Sequence, residues 1–180
     1  MKLERGILII LLFGILFLSG CTEESPNLYK NTLYGFSIEN KMNLDVKEDF
    51  DLGNGYRSIV SFLGPKKDGL YTRVVNIQIS SLPENQSFDI FIEIIKQDHY
   101  RIFSSRNYNL IDEGSFYIDG HEAYYLEFSM SGQVEPVIFK QIMILKEDSV
   151  YLVVYSAMES YYQTNLKNFE ASLSTFRFTE

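Results

Sequence analysis

Apolar and polar positions alternate with a period of two along several short runs of the chain, and such alternation predicts strands with one buried face. Leu28 to Asn31 and Gly35 to Glu39 form the first two runs, with Tyr34, Phe36 and Ile38 on one face and a polar turn at Asn31-Thr32, a predicted hairpin. From Lys41 to Gly55 the acids and lysines Asp45, Lys47, Glu48, Asp49 and Asp51 break the periodicity before Gly53-Asn54-Gly55, and this stretch reads as a loop. Ser58 to Leu63 and Arg73 to Ser80 are β-branched runs separated by Gly64-Pro65-Lys66-Lys67-Asp68-Gly69, the composition of a hairpin connection, so the two should pair antiparallel. Tyr108 to Ile111, Ser115 to Ile118, Glu122 to Ser129, Val137 to Leu145 and Val150 to Ala157 continue the series, with a two-residue turn signal at Asp119-Gly120.

Two segments follow the helical period instead. Phe88, Phe91, Ile92, Ile95, His99, Ile102 and Phe103 share one stripe behind Ser87, a residue suited to cap a helix, with Asp89 in the first turn. Tyr162, Leu166, Phe169, Leu173 and Phe176 are spaced by fours and threes behind Ser160 and Gln163, a capping-box pattern. Between them Val150-Tyr151-Leu152-Val153-Val154-Tyr155 shows no polar alternation, as expected of a strand covered on both faces. The prediction is an α+β domain, a largely antiparallel sheet sandwiched between two main helices, spanning residues 27–180.

The start of the chain reads as an address. Lys2 and Arg5 precede an uncharged run from Gly6 to Leu18, the charged and apolar regions of an export signal. As a helix that run covers about 20 Å, short of the roughly 30 Å hydrocarbon core of a bilayer. It ends in Leu18-Ser19-Gly20-Cys21, which resembles the lipobox of prokaryotic lipoproteins; the resemblance implies a signal peptide over residues 1–20 and lipidation of Cys21, the only cysteine. Residues 21–26 would then be the anchor and a tether reaching about 20 Å when extended. The expected location is the outer face of the cell membrane, in the cell envelope, with the lipid anchor as membrane contact and a protein partner at the membrane surface.

Charge narrows the partners further. Sixteen basic against 24 acidic residues leave −8 over 180 residues, and removal of Lys2, Glu4 and Arg5 with the signal leaves 14 − 23 = −9. Such a balance gives no broad positive field for nucleic acid. One cysteine excludes a disulfide framework or a cysteine-rich zinc site.

The runs Tyr34-Gly35-Phe36-Ser37-Ile38 and Asp119-Gly120-His121-Glu122-Ala123, with a terminal helix closing on Ser174-Thr175-Phe176, resemble the PsbP-like family. The resemblance covers nearly the whole mature chain and implies an antiparallel sheet sandwiched by helices (the PsbP-like α/β/α sandwich). It also implies an accessory or binding role rather than an established enzyme.

Candidate chemistry is sparse. His99 lies on the apolar stripe of the first helix and His121 behind a tight turn; no Gly-x-Ser-x-Gly elbow or phosphate-binding glycine loop occurs. No catalytic residue and no cofactor are assigned. Asp49, Asp51 and Asn54 have the hard-oxygen chemistry of a calcium loop but depart from the EF-hand spacing, with Val60 at position twelve, and a solvated acidic loop is the reading preferred. Asp112 and Glu113 are the carboxylates on which an enzyme reading would rest. Asn85-Gln86-Ser87 matches the N-glycosylation acceptor pattern, and Lys66, Lys67, Tyr71 and Arg73 form a basic patch suited to a membrane or partner contact. The leading reading is a non-catalytic binding or accessory domain; the alternatives are a small-ligand or calcium-binding module and a carboxylate-dependent enzyme.

Overall fold

The computed structural model of the chain describes residues 25–53 and 56–179. In chain order the elements are β1 (Leu28–Asn31), β2 (Phe36–Glu39), β3 (Asp45–Gly53), β4 (Tyr56–Leu63), β5 (Lys66–Lys67), β6 (Leu70–Tyr71), β7 (Arg73–Ser81) and α1 (Phe88–Phe103). After them come β8 (Asn109–Ile118), β9 (His121–Met130), β10 (Val137–Lys146), β11 (Ser149–Met158), α2 (Glu159–Leu173) and β12 (Arg177–Phe178). Seven strands form one sheet in the order β3-β4-β7-β11-β10-β9-β8, and each neighbouring pair is antiparallel. A small sheet, β1-β2-β12, and the two-strand hairpin β5-β6 complete the fold.

The sheet separates two cores. On one face Phe88, Phe91 and Ile92 of α1 pack on Leu126, Phe128, Met143 and Val150. On the other, Tyr162, Phe169 and Leu173 of α2, with Phe36 and Ile38 of β2, pack on Val60, Ile77, Ile142, Val153 and Tyr155. β11 sends Val150 to the first core and Tyr151, Val153 and Tyr155 to the second, which is why its sequence lacks polar alternation. Each fully buried large side chain in these layers contributes about 1.5–3 kcal/mol by leaving water.

The two-helix sandwich follows the sequence pattern, and several local features depart from it. Residues 45–53 are strand β3 rather than loop, because β4 offers a ladder from Asp45↔Leu63 to Phe50↔Ser58. β3 lies at the sheet edge, where charged side chains stay in water and hide a strand from a hydrophobicity pattern. The two runs at 108–111 and 115–118 are one strand, β8, with a register irregularity between Leu110 and Asp112. Ser160 does not cap α2: the helix begins at Glu159 behind Met158, without a side-chain cap. Ser160 donates its hydroxyl and its N–H to the Glu135 carboxylate at 2.9 and 3.0 Å, so an acid from the β9–β10 connection meets the positive helix end.

The other helix starts as expected, with Ser87 Oγ accepting from the Ile90 N–H at 3.3 Å, although Ile102 of its stripe is exposed. Phe176 lies beyond the end of α2 and is still fully buried, stacked on Phe36 at 5.6 Å. Asp119 and Gly120, both at positive φ, form the two-residue hairpin turn between β8 and β9.

Candidate functional site

A groove of about 720 Å³ runs between the C-terminal half of α2 and the outer strands β8, β9 and β10. Phe116 and Ile118 of β8, Tyr125 of β9, Ile142 of β10 and Leu173 of α2 supply its apolar surface. These residues reach one face because side chains two apart on a strand point the same way. Tyr117, Asp119, Gly120, Ser174 and Arg177 form the rim.

Its charged groups are tied to one another. Lys140, in the middle of an otherwise apolar strand, donates to Glu170 Oε1 at 2.8 Å, has Glu127 at 3.9 Å and lies 5.2 Å from the centre of the Tyr125 ring. Two carboxylates and a ring face compensate the partly buried ammonium, whose isolated burial would be costly. The Tyr125 hydroxyl donates to Asp112 Oδ2 at 2.8 Å, and that bond, with partial burial, raises its pKa. Arg177 pairs with Asp119 at 3.7 Å, and Asp119 Oδ2 accepts the Phe178 N–H at 2.9 Å, joining the β8–β9 turn to β12. In the core under α2, stacked with Tyr155, the Tyr162 hydroxyl is buried without a hydrogen-bond partner among the described residues. Burial first, and the Glu127 carboxylate next, push its pKa well above the usual phenol range.

Asp112 and Glu113 are adjacent on β8 and serve opposite faces. Asp112 receives Tyr125 on the groove side, while both Glu113 oxygens take Lys96 of α1, at 2.9 and 3.2 Å. The hydrogen bond from Lys96 holds the Glu113 carboxyl below its ordinary range, and its counterpart holds the Lys96 amine above its own. Two carboxylates turned apart in this way cannot share a proton transfer.

The other sequence-selected residues are dispersed. Asp49 is held by Arg57, with Nε to Oδ1 and Nη2 to Oδ2 both at 2.7 Å, so its carboxylate faces a guanidinium. Asp51 lies on β3 with it; Asn54 is outside the described residues, and among those no group of three or more His, Cys, Asp or Glu is placed to hold a metal. Lys66 and Lys67 are exposed, with their amines 4.7 Å from the Tyr71 ring and 5.9 Å from the Tyr161 ring. Arg73 is half-buried, and its Nε has no hydrogen-bond partner among the described residues. Asn85 is exposed on the turn before α1, at a φ of 65° that asparagine tolerates. Cys21 and residues 1–20 lie outside the described residues.

His99 packs on Phe128 at 4.7 Å, with Phe103 and Tyr108 nearby, and its Nδ1 has no partner among the described residues. Burial pulls its pKa down to about 4, against a smaller opposing effect of Asp98. His121 packs edge-on against Phe178 at 4.5 Å. Sequence reasoning passed over Lys140, Glu127, Glu170 and Arg177. The available signal was the polar pair Lys140-Gln141 inside the apolar run Val137 to Leu145.

No family model and no curated protein sequence matches the chain. Solved structures are similar to it in fold. Cyanobacterial PsbP (CyanoP) from Synechocystis shares 15% identity at a TM-score of 0.60, over 89% of this chain and 98% of that one. LpqN, involved in cell envelope biogenesis of Mycobacterium tuberculosis, shares 13% identity at a TM-score of 0.54, over 77% and 83%. The Ran-binding protein Mog1p of Saccharomyces cerevisiae shares 8% identity at a TM-score of 0.54, over 85% and 95%. The fold is thus Mog1/PsbP-like, an α+β sandwich with a seven-strand antiparallel sheet.

Proposed function

We propose that the protein is a lipoprotein of the PsbP-like family, anchored through Cys21 on the outer face of the cell membrane, where its domain docks non-catalytically on a membrane-surface protein. The observation that carries the docking reading is the groove between α2 and β8–β10, in which Lys140, Arg177, Asp112 and Tyr125 are each engaged with a neighbouring side chain. Side chains held in this way offer a shaped, charged surface rather than a free acid–base pair. The likeness in fold to CyanoP and LpqN supports the same reading.

The sheet register relates anchor and groove. Asn27 accepts the Asn40 N–H with its carbonyl and bonds Asn43 through its side chain, so the tether leaves beside the start of β3. A row of partners crosses the sheet from there: Asp45↔Leu63, Leu63↔Val74, Val74↔Ser156, Ser156↔Phe139, Phe139↔Phe128 and Phe128↔Leu110. The β8–β9 turn, at the far end of β8 from Leu110, lies at the end of the sheet opposite to the tether. A short tether thus holds the domain at the bilayer while the mouth at Asp119-Gly120 is presented away from it.

Membrane fractionation with intact-mass measurement tests the anchor. The mature protein should begin at Cys21, carry added lipid, resist salt extraction and enter detergent. Complementation of a deletion strain tests the groove: Glu170→Arg and Asp119→Arg should lose function with the protein still at the membrane in normal amount. Full function of both variants would refute the docking site.

A further inference from the structure

The two edges of the seven-strand sheet are unlike. β3 carries Asp45, Lys47, Glu48, Asp49 and Asp51, has Asp49 at positive φ and is irregular between Asp51 and Gly53, all devices that discourage another strand from pairing. β8, the opposite edge, has no charged residue from Gly114 to Ile118, and its irregularity is confined to Leu110–Asp112. Among the described residues no strand pairs with its outer side. The exposed apolar side chains Leu110, Ile111 and Tyr117 lie along it, Tyr117 at 74% exposure.

The hairpin fixes which backbone groups face outward. A two-residue turn is flanked by a hydrogen-bonded pair, here Ile118↔His121, and bonded pairs then recur at every second residue. Ile118, Phe116 and Gly114 therefore turn their N–H and C=O toward β9, while Tyr117, Ser115 and Glu113 turn theirs outward. The Glu113 N–H confirms this orientation, since it donates to the side chain of Asp112 at 3.0 Å instead of to β9. Carboxylates outnumber cations along this edge: Asp112, Asp119, Glu127 and Glu170 stand with Lys140 and Arg177 on the groove face, and Glu113 and Glu122 with Lys96 beside it.

We infer that the outer edge of β8, from Glu113 to Tyr117, is a docking edge that takes up an extended basic segment of a partner protein as an added antiparallel or parallel strand. The partner backbone would bond the outward N–H and C=O groups of Ser115 and Tyr117, and alternate side chains would enter the groove over Phe116 and Tyr125. Lysine or arginine at those positions would meet the excess of carboxylates left after Lys140 and Arg177 are paired, whereas acidic segments would add to it. A second copy of β8 fits poorly: antiparallel self-pairing centred on Ser115 would set Glu113 of each chain opposite Tyr117 of the other, and β8 has no lysine or arginine to meet the carboxylates of this edge. This inference rests on the docking reading above and specifies the chemistry of its partner.

The test uses the detergent-solubilised full chain, a synthetic peptide of alternating Lys and Val, the same peptide N-methylated throughout, and a Glu–Val counterpart. The Lys–Val peptide should bind and slow amide exchange of Ser115 and Tyr117 about tenfold, as closure of exposed hydrogen bonds does. The N-methylated peptide, which keeps charge and side chains but has no backbone donor, should bind at least about tenfold more weakly, as should the Glu–Val peptide. Ser115→Pro removes an outward N–H without touching the β9 ladder and should abolish the protection while exchange in β11 stays unchanged. Binding of the Lys–Val peptide with β8 amides unaffected would overturn strand addition and leave the docking reading intact. Equal binding of the N-methylated peptide, or no binding of any peptide, would overturn the inference, and the complementation result for Glu170→Arg reports separately on the docking reading. Self-association lost in Ser115→Pro would assign the edge to a second copy and overturn the basic partner.

Discussion

His99 should make the stability of this domain fall steeply in mild acid. Its ring is packed among Phe103, Tyr108 and Phe128, and burial lowers its pKa from 6.5 to about 4. The folded protein thus holds the neutral ring in a pH range where the unfolded chain has taken up a proton. Stability is complete above pH 6.5, declines as the unfolded chain titrates, and the loss is complete once pH falls through the folded value. At about 1.4 kcal/mol per pKa unit, the gap gives about 2–3 kcal/mol of lost stability by pH 4.5 and about 3–4 kcal/mol in the limit. Urea unfolding of wild type and His99→Leu at pH 7.5 and 4.5 isolates the contribution, because the carboxylates titrate alike in both. The wild type should lose about 2–3 kcal/mol more than the variant over that range. Equal losses would show that the ring is hydrated or finds an acceptor for its proton, and would refute the packing of α1 through His99.

Phe169, fully buried and stacked on Tyr155 at 4.8 Å, should cost about 3–5 kcal/mol when replaced by Ala, and a loss below about 1 kcal/mol would remove α2 from the core. A Cβ at Gly114 would meet the Tyr125 ring at 3.0 Å, so Gly114→Ala should shift that ring off Asp112 and lower stability by about 1–3 kcal/mol, read by thermal unfolding. Calcium added to the full chain should give no heat at Asp49, whose carboxylate is held by Arg57; a titration abolished by Asp49→Asn would reverse this. Cys21→Ala should release the protein from stable membrane association or leave an uncleaved precursor, and a mature wild-type form without lipid would refute the anchor.

Alternation along 58–63, 73–80, 122–129 and 137–145 and the helical stripes at 88–103 and 162–173 were enough to predict a sheet between two helices. Periodicity records which face of a segment leaves water, and that information is local. The same logic failed at 45–53, where an edge strand buries little and its charges look like a loop until β4 is beside it. Lys140 was visible as a cation in an apolar run, but its meaning came from Glu170, 30 residues later, and from Tyr125 on the neighbouring strand. Strand order is likewise non-local. That β3 and β8 are the edges, and that β8 is the unguarded one, depends on hydrogen bonds between residues far apart in the chain. No property of the residues 113–117 alone distinguishes an edge strand from a central one. The chain's own pattern therefore determined its layers, and only the tertiary pairing decided which backbone groups and carboxylates stand together at the groove.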